Sequence, residues 1–192
     1  ESGGVQDQIA ASFGGMNRIN FNAEGYTVNP VIISPERKKL LNRNLMLFFT
    51  GFSRFSSDIQ VAAEKNLKSK QNQLLEMLSL VDDAEKILTS KTDLEEFGRL
   101  LDYTWQLKRG ITDKVSTDSI DAVYSRALQA GATGGKLLGA GGGGFLLFYV
   151  DPDKQENVRK ALENLLYVPF EFENGGTRVI HYTPESYEPV NA

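Results

Sequence analysis

The 192-residue chain contains no cysteine and a single histidine, His181. Without cysteine it cannot form a disulfide, a thiolate metal site or a cysteine nucleophile, and one histidine excludes a histidine-rich metal cluster. An excess of positive charge is also missing, because 21 lysines and arginines against 25 aspartates and glutamates give a net charge of −4. The chain therefore has no general positive field with which to hold nucleic acid or an anionic membrane.

Long hydrophobic runs are absent as well. The longest are residues 45–49 and 145–150, far shorter than the roughly 20 residues of a membrane-spanning helix. Apolar residues make up 41% of the chain and charged residues 24%, which is ordinary for a globular protein and excludes a disordered one. We therefore expect a folded domain with a hydrophobic core.

The first part of the chain has its own pattern of elements. Residues 5–13 carry apolar side chains at four-residue spacing and stop at two glycines, which predicts a short helix. Residues 16–21 and 26–33 then predict two strands joined by a hairpin connection. Residues 34–37 break this pattern and are interpreted as a linker or turn.

From about residue 43 the organisation changes, and the element order predicts an α+β fold. The pattern is a buried strand, three helices, two strands, a helix and two final strands. The predicted helices span about residues 56–89, 93–108, 118–130 and 152–166, and the final strands are residues 168–172 and 177–182. This order favours an antiparallel sheet covered by helices.

The strongest chemical signal is the glycine-rich run at residues 139–144, which separates two predicted strands. It formally satisfies the dinucleotide-binding pattern, but that fingerprint must open a helix, and a strand follows here. A P-loop is also excluded, because Lys136 is followed by leucine. Glycines permit positive φ angles and leave N–H groups free to line an anion or a hydroxyl-rich ligand. A flexible turn is the alternative, although a two-residue turn would need far less glycine.

Asp7 lies in the first turn of the predicted first helix. A carboxylate there is stabilised by the helix dipole, and this structural role is the interpretation that the residues alone favour. The alternative is a carboxylate next to an incoming hydroxyl, as base or as orienter. The polar amides of Gln6 and Gln8, with the small Gly3 and Gly4, would suit the wall of such a site.

Several other side chains have simpler interpretations. Arg54 follows a buried strand and could pair with a phosphate. Lys108 and Arg109 complement the dipole at the end of a helix. Trp105 lies at core spacing, and His181 is expected to be structural.

Two passages resemble a known family. Residues 3–15 (GGVQDQIAASFGG) and 131–148 (GATGGKLLGAGGGGFLLF) resemble two sequence blocks of the galactokinase, homoserine kinase, mevalonate kinase and phosphomevalonate kinase (GHMP) superfamily. Residues 45–59 and 97–112 are similar to D-glycero-D-manno-heptose 7-phosphate kinases and fucokinase-like sugar kinases. The likeness extends over nearly the whole chain.

The resemblance implies an ATP-dependent kinase that phosphorylates the anomeric hydroxyl of a sugar or sugar phosphate, with ATP and Mg²⁺ required by the complete enzyme. The resemblance implies that Asp7 is the catalytic group beside the attacking hydroxyl. It also implies that the glycine run forms the floor of the site near the transferred phosphoryl. Arg54 and Lys108 become candidates for binding a second substrate phosphate. The implied substrate-contacting residues are Gly3, Gly4, Gln6, Arg54, Lys108, Gly139, Ala140, Gly141, Gly142 and Gly143.

One departure from the family concerns the nucleotide. The family carries a separate glycine- and serine-rich loop that holds the ATP phosphates, and this sequence contains nothing that fits it. We therefore expect residues 1–35 to be a helix and strand pair left from an N-terminal domain. Residues 43–192 are expected to be an intact C-terminal domain with a four-stranded, ferredoxin-like sheet.

This division predicts how the chain should behave. It should be inactive by itself, and its partners should be a sugar phosphate, ATP and the missing N-terminal domain. Self-association into a homo-oligomer through the orphaned apolar face and a cytoplasmic location are further expectations. Two alternatives stay open: a non-catalytic small-molecule-binding or interaction module, and a kinase of the same superfamily for fucose, galactose or a mevalonate-type substrate.

Overall fold

The computed structural model describes residues 4–51, 66 and 69–183. The helices in these residues are α1 (Gln6–Phe13), α2 (Pro35–Asn44), α3 (Gln71–Thr89), α4 (Glu95–Arg109), α5 (Asp118–Gln129) and α6 (Gln155–Ala161). The strands are β1 (Asn17–Asn22), β2 (Gly25–Pro30), β3 (Leu45–Phe49), β4 (Ala132–Leu137), β5 (Phe145–Val150) and β6 (Leu166–Tyr167). The architecture is α+β, as the sequence predicts. None of the helices in the described ranges is long and apolar enough to cross a membrane.

The main sheet has four strands in the order β4-β5-β3-β6. Every neighbouring pair is antiparallel, and the central register opposes Met46 to Phe148 and Lys136 to Leu147. This strand order, combined with the helices between β3 and β4 and between β5 and β6, is the ferredoxin-like arrangement. The expected C-terminal sheet is therefore confirmed.

Both faces of this sheet are covered, because successive side chains of a strand point to opposite sides. Phe48 and Phe148 lie on one face, in a core that includes Trp105 of α4 and Val123 of α5. The other face carries Tyr149, in a second core with residues of α2 and α4. Members of this second core are Leu41, Leu45, Leu94, Leu101 and Tyr149. The uninterrupted apolar character of β3 and β5 follows from this double burial.

The first elements form as expected and pack on the rest of the molecule. Strands β1 and β2 are an antiparallel hairpin. The guanidinium of Arg18 donates to the carboxylate of Glu85 at 2.9 Å and pairs with that of Asp82 at 2.6 Å, both on α3. These contacts tie the hairpin to α3.

Residues 34–37 are not a linker but the start of α2. The hydroxyl of Ser34 accepts a hydrogen bond from the N–H of Arg37 at 3.2 Å, and Pro35 occupies the first helical position. Serine as the cap followed by proline is a favourable helix start, so the sequence carried the signal. The Arg37 guanidinium donates to the carbonyls of Leu88 and Thr92, at 2.8 and 2.5 Å, which fixes α2 against the end of α3.

Two C-terminal predictions are wrong. The helix expected at 152–166 begins only at Gln155 and ends at Ala161. The expected hairpin of residues 168–172 and 177–182 does not form. The N–H of Val168 donates to the carbonyl of Leu47, and the following residues bond first to Asn42 of α2 and then to the end of α1. The backbone groups of this segment bond to other elements, so the segment does not pair with itself. The first part of the helix expected over 56–89 lies mostly outside the described residues.

Candidate functional site

The glycine-rich run is the connection between β4 and β5. Four of its glycines have positive φ angles: Gly139 (77°), Gly141 (127°), Gly142 (71°) and Gly144 (105°). Residues with a Cβ atom rarely adopt positive φ angles, so the backbone path of the loop requires glycine at these four positions. The repeated glycines are thus needed for a specific backbone path.

The loop is fixed by contacts with its surroundings. The N–H of Gly142 donates to the carbonyl of Val115 at 2.9 Å, and a Cβ on Gly141 would lie 2.8 Å from the same oxygen. At the other end, the Thr50 hydroxyl donates to the Gly144 carbonyl at 3.0 Å and accepts from the Gly144 N–H at 3.1 Å. These contacts hold the loop in one conformation.

Several backbone donors of the loop stay free for a ligand. Within the described part of the chain, the N–H groups of Ala140, Gly141 and Gly143 have no hydrogen-bond acceptor. A short series of N–H groups in a turn of this kind is a suitable environment for an anion or for hydroxyl oxygens. The loop is therefore equipped to bind ligand through its main chain.

Two half-buried lysines lie beside the start of the loop. Lys108, in the last turn of α4, donates from its ammonium to the carbonyl of Gly139. Burial lowers the pKa of Lys108 to about 8; the positive charge of Lys136 lowers it as well, and the negative charge of Asp7 acts in the opposite direction. Burial also lowers the pKa of Lys136, on β4. The two cations repel each other, and an anion between them would relieve that repulsion.

Asp7 lies in the first turn of α1, where its exposed carboxylate is favoured by the helix dipole. It is close enough to Lys108 for its charge to influence the lysine. Lys108 is therefore bonded to the glycine loop and also lies within reach of the charge of Asp7, although the two segments are far apart in the sequence. Gly4 and Gln6 are exposed next to Asp7.

Some sequence-predicted residues are not part of this arrangement. Gly3 and Arg54 lie outside the described residues. Trp105 is fully buried in the core, as expected. His181 is exposed beside the hydroxyl of Thr183 and is not in a strand, contrary to the prediction.

Sequence reasoning missed three contributors to the site, namely Lys136, Thr50 and Val115. Lys136 lies inside the glycine-rich passage, but the sequence shows only that it does not fit a P-loop. Thr50 ends a buried strand, which is a position where ligand-site residues are common. Val115 contributes a carbonyl oxygen, and no side-chain pattern reveals such a role.

A metal site is not evident in this part of the chain. The described residues contain no group of three or more His, Asp or Glu side chains that could hold a metal ion.

Comparisons with known proteins agree with this architecture. Residues 80–168 match the family model for the C-terminal domain of GHMP kinases. The D-glycero-alpha-D-manno-heptose 7-phosphate kinase of Campylobacter jejuni is 36% identical over 163 residues, covering 83% of this chain and 48% of that protein.

Solved structures agree as well. A D-glycero-D-manno-heptose 1-phosphate kinase from Bacteroides thetaiotaomicron is 29% identical, with a TM-score of 0.55 over 91% of this chain and 48% of that one. Mevalonate kinase from L. major, at 19% identity, shares the fold with a TM-score of 0.67 over 90% of this chain and 53% of that one.

Residues 80–168 therefore match the C-terminal domain of GHMP kinases, and the family resemblance is confirmed. The curated relatives of this domain include kinases of a heptose phosphate and of mevalonate. The chain spans about half the length of the heptose phosphate kinase it matches.

Proposed function

We propose that this chain is the C-terminal part of an ATP-dependent sugar kinase, which phosphorylates the anomeric hydroxyl of D-glycero-D-manno-heptose 7-phosphate. The observation that carries the proposal is the position of Lys108, which donates to the glycine loop and whose pKa, lowered by burial, is raised in part by the charge of Asp7. The 36% identity with a heptose 7-phosphate kinase supports this substrate over fucose or galactose.

In this proposal Asp7 acts on the hydroxyl of the substrate. Its carboxylate accepts the hydroxyl proton as the oxygen forms a bond to the γ-phosphorus of ATP and the bond to ADP breaks. Most of the acceleration in phosphoryl transfer comes from positioning and charge stabilisation. The free N–H groups of the glycine loop are suited to hold the sugar and the phosphoryl oxygens, and Mg²⁺ would neutralise phosphate charge in the complete enzyme.

A substrate that already carries a phosphate needs a second cationic subsite. We assign Lys108 to it, together with Lys136, because burial makes a positive charge costly on both lysines and the charge of Lys136 adds to that cost at Lys108. A phosphate would offset that cost for both. Arg54 remains a candidate on sequence grounds only.

The proposal also divides the chain into two parts. Residues 1–35 belong to an N-terminal domain that holds the ATP phosphates, and residues 43–192 form the C-terminal domain. Exposed apolar side chains on the first elements support this division. They are Val5, Phe13, Phe21 and Ile32, each at least half exposed. Such a face favours contact with the N-terminal domain, or with a second copy of this chain in its absence. The chain by itself should then have little kinase activity.

The test requires the longer protein with its upstream sequence restored. Asp7→Asn keeps the size of the side chain and removes its ability to accept a proton, so we expect the turnover rate to fall by about 10²–10⁴-fold. Asp83→Asn removes an exposed carboxylate on α3 and should leave the rate unchanged. A rate for Asp7→Asn close to that of the parent would exclude Asp7 from the mechanism.

Substrate choice is tested separately in the same protein. A panel of heptose 7-phosphate, fucose, galactose and mevalonate should show turnover of the phosphorylated heptose above the others. Saturable, tight binding of sugar phosphates by the present chain without nucleotide would instead favour a binding module, because half of a kinase site should bind weakly.

A further inference from the structure

The helix that carries Asp7 is held at its opposite end by the C-terminal part of the chain. We call residues 173–177 the strap. The last carbonyls of a helix have no partner within the helix, and here the N–H of Thr177 donates to those of Ala11 and Ser12, both at 3.1 Å. In return, the N–H of Gly15 donates to the carbonyl of Glu173 at 2.9 Å. The strap therefore caps the C-terminus of α1 with its own backbone.

The two backbones approach so closely that a side chain would not fit between them. A Cβ on Gly176 would lie 1.8 Å from the carbonyl oxygen of Ser12, and a Cβ on Gly14 would lie 2.3 Å from the carbonyl carbon of Gly175. A Cβ on Gly175 itself has space, since its nearest neighbour would be a Glu173 carboxylate oxygen at 3.4 Å. Gly176 and Gly14 thus set the distance between α1 and the strap.

The strap is itself anchored to the C-terminal domain. The side-chain amide of Asn42, on α2, donates to the carbonyl of Phe170 at 3.0 Å and accepts from the N–H of Phe172 at 3.0 Å. The carboxylate of Glu173 accepts from the N–H of Gly175 at 2.8 Å, which fixes the turn within the strap. A continuous path of contacts therefore runs from α2 through the strap to α1.

Apart from the strap, few contacts hold α1; one of them is the side-chain amide of Asn17, which donates to the carbonyl of Gly14 at 2.7 Å just beyond the helix. Ile9 is its one buried side chain among the residues the structure describes. The helix joins the β1–β2 hairpin through Gly14 and Gly15, both with positive φ angles, of 63° and 74°. Glycines in this region permit changes of backbone direction at low cost. The salt bridges of Arg18 fix the hairpin, which lies beyond these glycines.

We propose that the strap positions the catalytic helix, and that Gly176 is a positioning residue which sets where the Asp7 carboxylate lies relative to Lys108 and the glycine loop. The importance of this placement for catalysis rests on the function proposed above. The placement itself can be tested without any turnover.

The experiment uses the side-chain pKa of Lys108, measured by NMR on lysine-labelled chain, as a reporter of the distance to Asp7. In the parent chain, Asp7→Asn should lower the pKa of Lys108, because a negative charge that favours the ammonium is removed. When the chain carries Gly175→Ala, whose added methyl group has space, Asp7→Asn should lower the pKa of Lys108 by the same amount as in the parent. When the chain carries Gly176→Ala, adding Asp7→Asn should lower the pKa of Lys108 by less than half of the shift seen in the parent. An equal effect in Gly176→Ala and in the parent would overturn the proposal.

The core must remain folded for the comparison to be valid. Trp105 is the single tryptophan of the chain and is completely buried, so its fluorescence reports on the core independently of the strap. Should Gly176→Ala lose this signal, a chain ending at Phe172 replaces it, because this chain lacks the strap and keeps both core clusters. In that chain, too, an undiminished effect of Asp7→Asn would contradict the proposal. None of these outcomes depends on whether the longer protein is a kinase.

Discussion

The ammonium of Lys108 donates a hydrogen bond to the carbonyl of Gly139, the first glycine of the loop between β4 and β5. A lysine in the last turn of a helix ordinarily complements the helix dipole and extends into water. Here the side chain is turned toward the loop and half-buried, so its charge is retained at a cost. Residues whose pKa is shifted in this way by burial are frequent at functional sites.

Inorganic phosphate should bind beside Lys108. A bound anion stabilises the ammonium, so phosphate should raise the pKa of Lys108 above its value of about 8. Lys108→Met should weaken phosphate binding by about tenfold, the effect of losing roughly 1.4 kcal/mol of charge-assisted hydrogen bonding. Titration by NMR gives both quantities. Lys91→Met, at an exposed position, is the control, and equal weakening by both substitutions would count against the subsite.

The stability of the chain should depend on pH through Lys108 in a defined direction. The pKa of Lys108 is about 8 in the folded chain, below its ordinary 10.5, so between these values the unfolded chain binds more protons. Stability from this group therefore increases as pH rises. The free energy of unfolding of the parent, minus that of Lys108→Met, should increase between pH 8 and 10. Urea denaturation at several pH values measures both free energies of unfolding. If they changed with pH in parallel, burial of the Lys108 ammonium would not be costly.

Tyr124 should contribute to stability through its hydroxyl. This group accepts a hydrogen bond from the buried N–H of Gly135 at 3.1 Å and donates to the carboxylate of Asp102 at 2.6 Å, and burial raises the pKa of Tyr124. Tyr124→Phe leaves the N–H of Gly135 without its partner, which should cost about 1–3 kcal/mol. Tyr103→Phe is the control, since this hydroxyl bonds Glu76 at the surface and its loss should cost under about 0.5 kcal/mol. Similar losses in both variants would contradict the assignment.

Three of the four strands of the main sheet were predictable because their signals are local, whereas β6 falls where the sequence predicted the end of a helix. The uninterrupted apolar runs of β3 and β5 indicate burial on two faces, and the helix periodicities between them are clear. The start of helix α2 could have been recognised from Ser34 and Pro35, which form a favourable helix cap. The sequence analysis nevertheless assigned these residues to a turn, because serine followed by proline is also common in turns.

The C-terminal segment could not be predicted in the same way. Residues 173–176 have the composition of a hairpin turn, but their glycines serve a close crossing with α1. Such a contact joins segments more than 150 residues apart, and no local pattern encodes it. No local pattern brings Lys108 and Asp7 together either; only the family resemblance assigned both residues to one site, and their proximity depends on how α1 and α4 are placed.

The close packing of α4 on β4 provides a last test, because Lys108 lies in the last turn of the same helix. A Cβ on Gly134 would lie 2.1 Å from the carbonyl oxygen of Gly98 on α4, so Gly134→Ala must displace the helix. Overpacking of this kind should cost about 1–3 kcal/mol in stability.

Displacement of α4 should also expose Lys108, so its pKa should rise from about 8 toward 10.5. Gly4→Ala is the control, because a Cβ at this position meets nothing within 4 Å. Denaturant unfolding and NMR titration of Lys108 measure the two effects. If Gly134→Ala lost stability but left the pKa of Lys108 unchanged, the position of this lysine would not depend on the contact between α4 and β4.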